Sequence, residues 1–224
     1  MSEQAWCSTE TESSPDQGRA QLAGWRICGS LAHLGWRPIL LTGLLRDLVT
    51  RHFASSDLIE EPDLQDLLWK PGADTDILVE SVHRWRGQLV EKRPAVIIKR
   101  QGYRSHRQTI NDFHASDREG HSHYGILWVG SHTLFCIHGE GAATEILATE
   151  VQRELTQMAP GIRNSLGLHK FQVTQVGAIG QLEEASENFV VPITVGWAYE
   201  ETWQLTRTTL PMQGVELEIN AHDC

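Results

Sequence analysis

The sequence predicts an α+β fold: an antiparallel-rich β-sheet packed against helices, preceded by an extended N-terminal arm. Three observations carry this. Two segments, 38–53 and 142–159, repeat apolar residues at the i, i+3, i+4, i+7 spacing of an amphipathic helix. Residues Phe189–Tyr199 alternate strictly, with Phe189, Val191, Ile193, Val195, Trp197 and Tyr199 on one face. The remaining apolar runs are short and joined by hairpin-like links, a pattern of mixed helices and strands.

In chain order, residues 1–20 are rich in Ser, Thr, Glu and Gln and read as a mobile arm. Residues 21–37 give no clear element. Leu41, Leu44, Leu45, Leu48, Val49 and His52 form one stripe of a first helix, with Pro38 in a first-turn position and Ser55–Asp57 ending it. Residues 54–80 run acidic and loop-like, broken by Pro62, Pro71 and Gly72, with short helical turns around Leu64–Trp69 and an extended piece at Ile77–Val79. Ala95–Lys99 opens a strand after Pro94. Residues 101–122 read as a long polar loop, too long for a mere connector. Tyr124–Val129 and Thr133–Ile137 flank Gly130-Ser131 and predict a tight hairpin.

A second helix follows from Ala142 to Ala159, its stripe formed by Ala143, Leu147, Val151, Leu155 and Met158 and its stop by Pro160-Gly161. Phe171–Ile179 is a further strand, the acidic residues 183–187 a turn, and Val215–Ile219 a last short strand. Pro192, lacking an N–H, predicts a free edge or a bulge within the alternating strand. The implied organisation is an arm at 1–37, one α+β domain at 38–206 and a C-terminal extension at 207–224.

Composition narrows function. Hydrophobic residues are 40% and charged residues 21% of the 224, an ordinary globular balance that argues against disorder. Apolar stretches fall far short of a membrane span, and residues 1–18 have neither the basic start nor the apolar run of a secretory signal. The net charge of −10 is uneven: residues 84–118 hold nine Lys and Arg against three acids, while 119–224 hold four against thirteen. An acidic chain is a poor general nucleic-acid binder. One basic belt between acidic segments suits complementary contacts between copies or with a partner. The four cysteines are widely spaced, as expected of free thiols rather than a disulfide or zinc framework.

Catalytic signatures are weak. His114, His121, His123, His132 and His138 cluster in sequence, but no metal-ligand spacing accompanies them, and they read as surface or loop histidines. No G-x-S-x-G occurs, Gly139-Glu-Gly141 lacks the Lys and Ser/Thr of a phosphate loop, and Asp74-Thr-Asp76 is a bare acidic pair. Eight tryptophans are many for this length, and Trp85 between Arg84 and Arg86 has the composition of a contact surface.

The run Gly130-Ser-His-Thr-Leu-Phe-Cys, the helix Ala-Thr-Glu-Ile-Leu-Ala-Thr-Glu-Val-Gln-Arg-Glu-Leu from Ala143, the segment Phe171-Gln-Val-Thr-Gln-Val-Gly-Ala-Ile-Gly and the stretch Leu182–Tyr199 resemble neck proteins of tailed bacteriophages, in the tail-terminator or tail-completion group. Residues 40–96, with Arg93-Pro-Ala-Val, are similar to the same proteins. The resemblance covers residues 38–206. It implies a virion subunit that is assembled in the host cytoplasm and closes into a ring, usually a hexamer. Such a ring caps the tail tube, stops its polymerisation and docks the tail to the head connector or stopper. DNA passes through its channel without sequence-specific binding, and neither catalysis nor cofactor nor metal is involved. The expected partners are other copies of the chain, the tail tube protein and the head connector, with no membrane. Interface candidates are Arg84, Trp85, Arg86, Arg100, Arg104 and Arg107 of the belt, facing Glu183, Glu184 and Glu187 of a neighbour. A head-side connector component, a nucleic-acid-binding module using residues 84–118 and a metal-dependent hydrolase using the histidines stay open as alternatives.

Overall fold

The computed structural model describes residues 25–29, 38–72, 74–82, 94–118, 121–182 and 185–207. Its elements are β1 (Trp25–Gly29), α1 (Pro38–His52), β2 (Leu78–Ser81), β3 (Ala95–His106), β4 (Phe113–Ser116), β5 (Ser122–His138), α2 (Gly141–Leu166), β6 (Lys170–Val176), β7 (Gly180–Leu182) and β8 (Ala185–Arg207). The fold is α+β, with two helices and one mixed sheet of strand order β1-β8-β5-β3-β2, to which β4 adds on β5 and β6 and β7 on β8. The expected antiparallel-rich sheet holds only in part, because β2 joins β3 in parallel, Leu78 opposite Ala95 through Ser81 opposite Ile98. Residues 82–94 supply the length of chain that a parallel crossover requires.

The chain divides into two compact units. The larger, from 36–106 and 127–200, holds both helices and the main core. Leu41, Leu45 and Val49 of α1, Leu147, Val151 and Leu155 of α2, Val96 and Ile98 of β3, Leu134 and Cys136 of β5, and Val191, Ile193, Val195 and Trp197 of β8 form one buried cluster. The period-2 reading of β8 thus holds through its centre, while Phe189 and Tyr199 are half-buried. Each buried aliphatic side chain contributes about 1.5–3 kcal/mol. The opposite parity of β3, Ala95 and Ile97, packs with Leu78 and Ile137 in a second cluster. The smaller unit takes residues 107–126 and 201–207 together with β1, which pairs antiparallel with β8 from Trp25 opposite Arg207 to Gly29 opposite Trp203.

Several sequence expectations change. Gly130-Ser131 is no turn: β5 runs unbroken through it. A Cβ at Gly130 would lie 2.4 Å from the Trp197 ring and 2.6 Å from the Tyr103 Cβ, so glycine here permits close packing of neighbouring side chains. The supposed loop 101–122 is half strand. β3 extends to His106, β4 covers Phe113–Ser116 and β5 begins at Ser122. These strands read as loop because most of their side chains are exposed, so no apolar alternation marks them.

α2 passes through Pro160-Gly161 and ends at Leu166. Pro160 is exposed and forfeits only its own N–H, while Gly167 in the left-handed conformation (φ 62°) closes the helix. The N–H groups of Gly167 and Leu168 both reach the Arg163 carbonyl. Part of the predicted N-terminal arm is strand β1. Glu187 belongs to β8 rather than to a turn. The expectation at Pro192 is met by a gap in the ladder: β6 ends at Val176 and β7 starts at Gly180, and between them Gly177 N–H donates to the Pro192 carbonyl at 2.7 Å. The predicted strand Val215–Ile219 lies outside the described residues.

Candidate interaction surface

Within the larger unit, β3 changes character midway. Ala95–Ile98 are buried, whereas Lys99–His106 are exposed apart from half-buried Gln101. The polar half is held by β5, with Arg100 opposite His132, a bulge between Arg100 and Tyr103, and Arg104 opposite Val129. Tyr103 anchors it from the side: its ring lies 5.6 Å from Trp128 and 5.9 Å from Trp197, and the Arg100 guanidinium sits 5.3 Å above it. Gly102, Tyr103, Arg104, Val129, Gly130 and Ser131 line a shallow depression of about 360 Å³. Arg104 makes no ion pair among the described residues.

In the smaller unit, a single 3-10 turn at Ile110–Asp112 leads into β4. Asp112 adopts φ 58°, a left-handed conformation that Asp tolerates. Ile110 is 87% exposed, and Phe113 is exposed as well. Phe113 meets Tyr124 edge-on at 5.7 Å, and Tyr124 stacks on Trp203 at 5.6 Å, a row of three rings across β4, β5 and β8. The β4–β5 connection is pinned by Asp117, which accepts the His121 backbone N–H at 2.9 Å and lies 2.7 Å from His121 Nδ1 and 3.6 Å from His123 Nε2. Arg107 and Arg118 are exposed.

The larger unit carries a second surface that sequence reasoning left as an acidic loop. Two 3-10 turns, Ser56–Leu58 and Pro62–Leu64, set their apolar residues Ile59 and Leu64 into the core. Asp57, Glu60, Asp63 and Asp66 are exposed, Glu61 is half-buried, and Leu58 is 52% exposed among them. The segment is fastened from beneath by buried charge. The Glu150 carboxylate accepts the Glu60 backbone N–H at 3.2 Å, faces His52 Nε2 at 2.7 Å and pairs with Arg153, which reaches Glu60 at 2.9 Å. The other His52 nitrogen lies 3.2 Å from Glu154. His52 closing the apolar stripe of α1 and Glu150 and Glu154 one turn apart on α2 were the sequence signal for this tie.

His132 departs from the surface reading of the histidines. It is wholly buried, receives the Trp197 indole N–H on Nδ1 at 2.9 Å, and places Nε2 2.9 Å from the Thr42 hydroxyl. Burial lowers its pKa from 6.5 to about 4, opposed by the Pro38 carbonyl and reinforced by Arg100. It therefore serves as a neutral strut between α1, β5 and β8. His138 Nδ1 accepts the Glu140 N–H at 3.1 Å, ahead of α2. Thr75, inside the acidic pair at 74–76, accepts the Lys70 N–H and donates to the Ile77 carbonyl, and Asp76 pairs with Lys70. Cys136 is free and buried, and burial pushes its thiol pKa up, away from nucleophilic use.

Of the residues proposed from sequence, Arg100, Arg104 and Arg107 lie exposed on β3 and just past its end, and Glu187 is exposed on β8. Arg84, Trp85, Arg86, Glu183 and Glu184 lie outside the described residues. Among the described residues no group of three His, Cys, Asp or Glu side chains is placed to hold a metal ion. No helix among them is long and apolar enough to cross a membrane. No protein-family model matches the chain, and a comparison with curated proteins finds no match.

Proposed function

We propose that this chain is a structural subunit of the neck of a tailed bacteriophage, a ring that caps the tail tube, ends its polymerisation and docks the tail to the head connector. The observation that carries the reading is the resemblance to tail-terminator proteins along β5, α2, β6 and β8, the contiguous run that supplies most of the core. Two features support it. Exposed groups of both signs are present, Arg104 and Arg107 at the end of β3 and Asp57, Glu60, Asp63 and Asp66 on the acidic turns. Such pairs suit a heterologous contact, which closes into a ring when its rotation permits. The net charge of −10 suits a channel through which DNA slides without adhering, since phosphate binding calls for Lys and Arg. The role is structural, without a catalytic step.

Projection images of the purified protein test this directly. Closed rings, hexameric on the tail-terminator reading, are expected. Labelling in assembled particles then separates a tail-side cap from a head-side connector component. Protein that stays monomeric at high concentration and is missing from virions would refute the reading.

A further inference from the structure

Ile110 stands out among the large apolar side chains described: 87% of it faces solvent, in the 3-10 turn that joins β3 to β4, with exposed Arg107 three residues before it and exposed Arg118 beyond the end of β4. Exposed Phe113 follows three residues later, so the stretch between Arg107 and Arg118 offers exposed apolar area with a cation before it and another after it in the chain. Asp112 is half-buried beside it, and Asp117 is engaged by His121 and His123. The 56–64 segment has the converse composition: Leu58 lies exposed among Asp57, Glu61 and Asp63. Its backbone is fastened to the core through Ile59, Leu64 and the Glu60–Glu150 hydrogen bond, so little ordering accompanies binding there.

We infer that the Ile110 turn of one copy docks on the Asp57–Asp63 segment of a second copy, Ile110 and Phe113 against Leu58 and the arginines against the acids. The inference rests on the ring reading and names its acceptor surface, in place of the 183–187 residues. Opposite charge around a small apolar centre speeds encounter and sets register, and both partners are present in every chain, as a repeating head-to-tail contact requires. The alternative occupant is single-stranded nucleic acid, because the rings of Phe113, Tyr124 and Trp203 beside arginines also resemble a base-stacking platform.

The test is charge exchange in the full-length chain, read as oligomer size by sedimentation with circular dichroism as the folding control. Arg107→Glu with Arg118→Glu, and separately Asp57→Lys with Asp63→Lys, should each weaken self-association at least about tenfold. Ile110→Ser should weaken it without altering its salt dependence. The chain carrying all four charge changes, and an equal mixture of the two double variants, should both regain assembly. Wild-type assembly that is lost in the double variants but regained in neither rescue would place the acceptor elsewhere and leave the ring reading standing. A wild type that never self-associates would overturn both. Binding of an oligothymidylate probe that the Arg107 and Arg118 changes abolish, with self-association unaffected, would assign the surface to nucleic acid instead.

Discussion

Lowering the pH from 7 to 5 is expected to weaken the fold by about 2 kcal/mol through His132 alone. The Trp197 indole can only donate, so the Nδ1 it meets at 2.9 Å must be bare, and Nε2 then carries the proton toward Thr42. Protonating Nδ1 would set two donors against each other in the core. The folded-state pKa of about 4 lies below the unfolded value of 6.5, so the unfolded chain takes up the proton first. The stabilisation is complete above pH 6.5, declines as pH falls, and is exhausted below about 4. At pH 5 the unfolded ring is almost wholly protonated and the folded ring about one-tenth so, a ratio near 30, or about 2 kcal/mol. The assay is urea unfolding by circular dichroism at pH 7, 6 and 5, at one protein concentration, for the wild type and His132→Gln. Titration of the carboxylates and of the other histidines is common to both and cancels in the difference. Equal losses in the two proteins would refute the reasoning, as would a His132 ring that titrates near 6.5 by NMR.

Two further outcomes follow from the packing. Val195→Asp should leave the chain unfolded or insoluble, losing more than the about 1.5–3 kcal/mol that burying valine contributes, whereas Thr194→Asp, on the half-buried face, should be mild; soluble expression and thermal midpoints compare them. Gly130→Ala drives a methyl into the Trp197 and Tyr103 side chains and should cost about 1–3 kcal/mol by denaturant midpoint, while Gly102→Ala, with open space around it, should cost less than 1 kcal/mol, about the scale of a strand-propensity change.

The elements legible in the sequence are those with one face on the core. The α1 stripe placed Leu41, Leu45 and Val49 correctly, and the alternation of β8 identified Val191, Ile193, Val195 and Trp197, because burial imposes a period on such segments. The polar half of β3 and all of β4 were illegible for the converse reason: exposed side chains leave composition free, and only pairing with β5 makes them strand. Gly130 misled because glycine serves both turns and close packing, and only the Trp197 ring against it decides which. His132 looked like its loop neighbours because its partners, Thr42 and Trp197, are distant in the chain. For the interaction surface, the charge blocks drew attention to Arg100, Arg104 and Arg107. The role proposed for the acidic turns was not legible because it depends on which of their apolar residues reach the core: Ile59 and Leu64 do, Leu58 does not.

The proline inside α2 also bears on how the helix opens. Pro160 cannot donate to the Thr156 carbonyl, so the hydrogen-bond ladder is weakest where the buried stripe ends at Ala159. Beyond it, the far end is pinned by the Gly167 closure and by Leu168, which is buried. Helices ordinarily fray from their ends inward, but here the final turns are bounded by a weak point upstream and a fastened terminus downstream. Amide hydrogen exchange should therefore divide α2 into two cooperative blocks. Residues 147–159 should exchange only with unfolding of the core, and residues 161–166 should exchange together through a smaller opening hinged at Pro160.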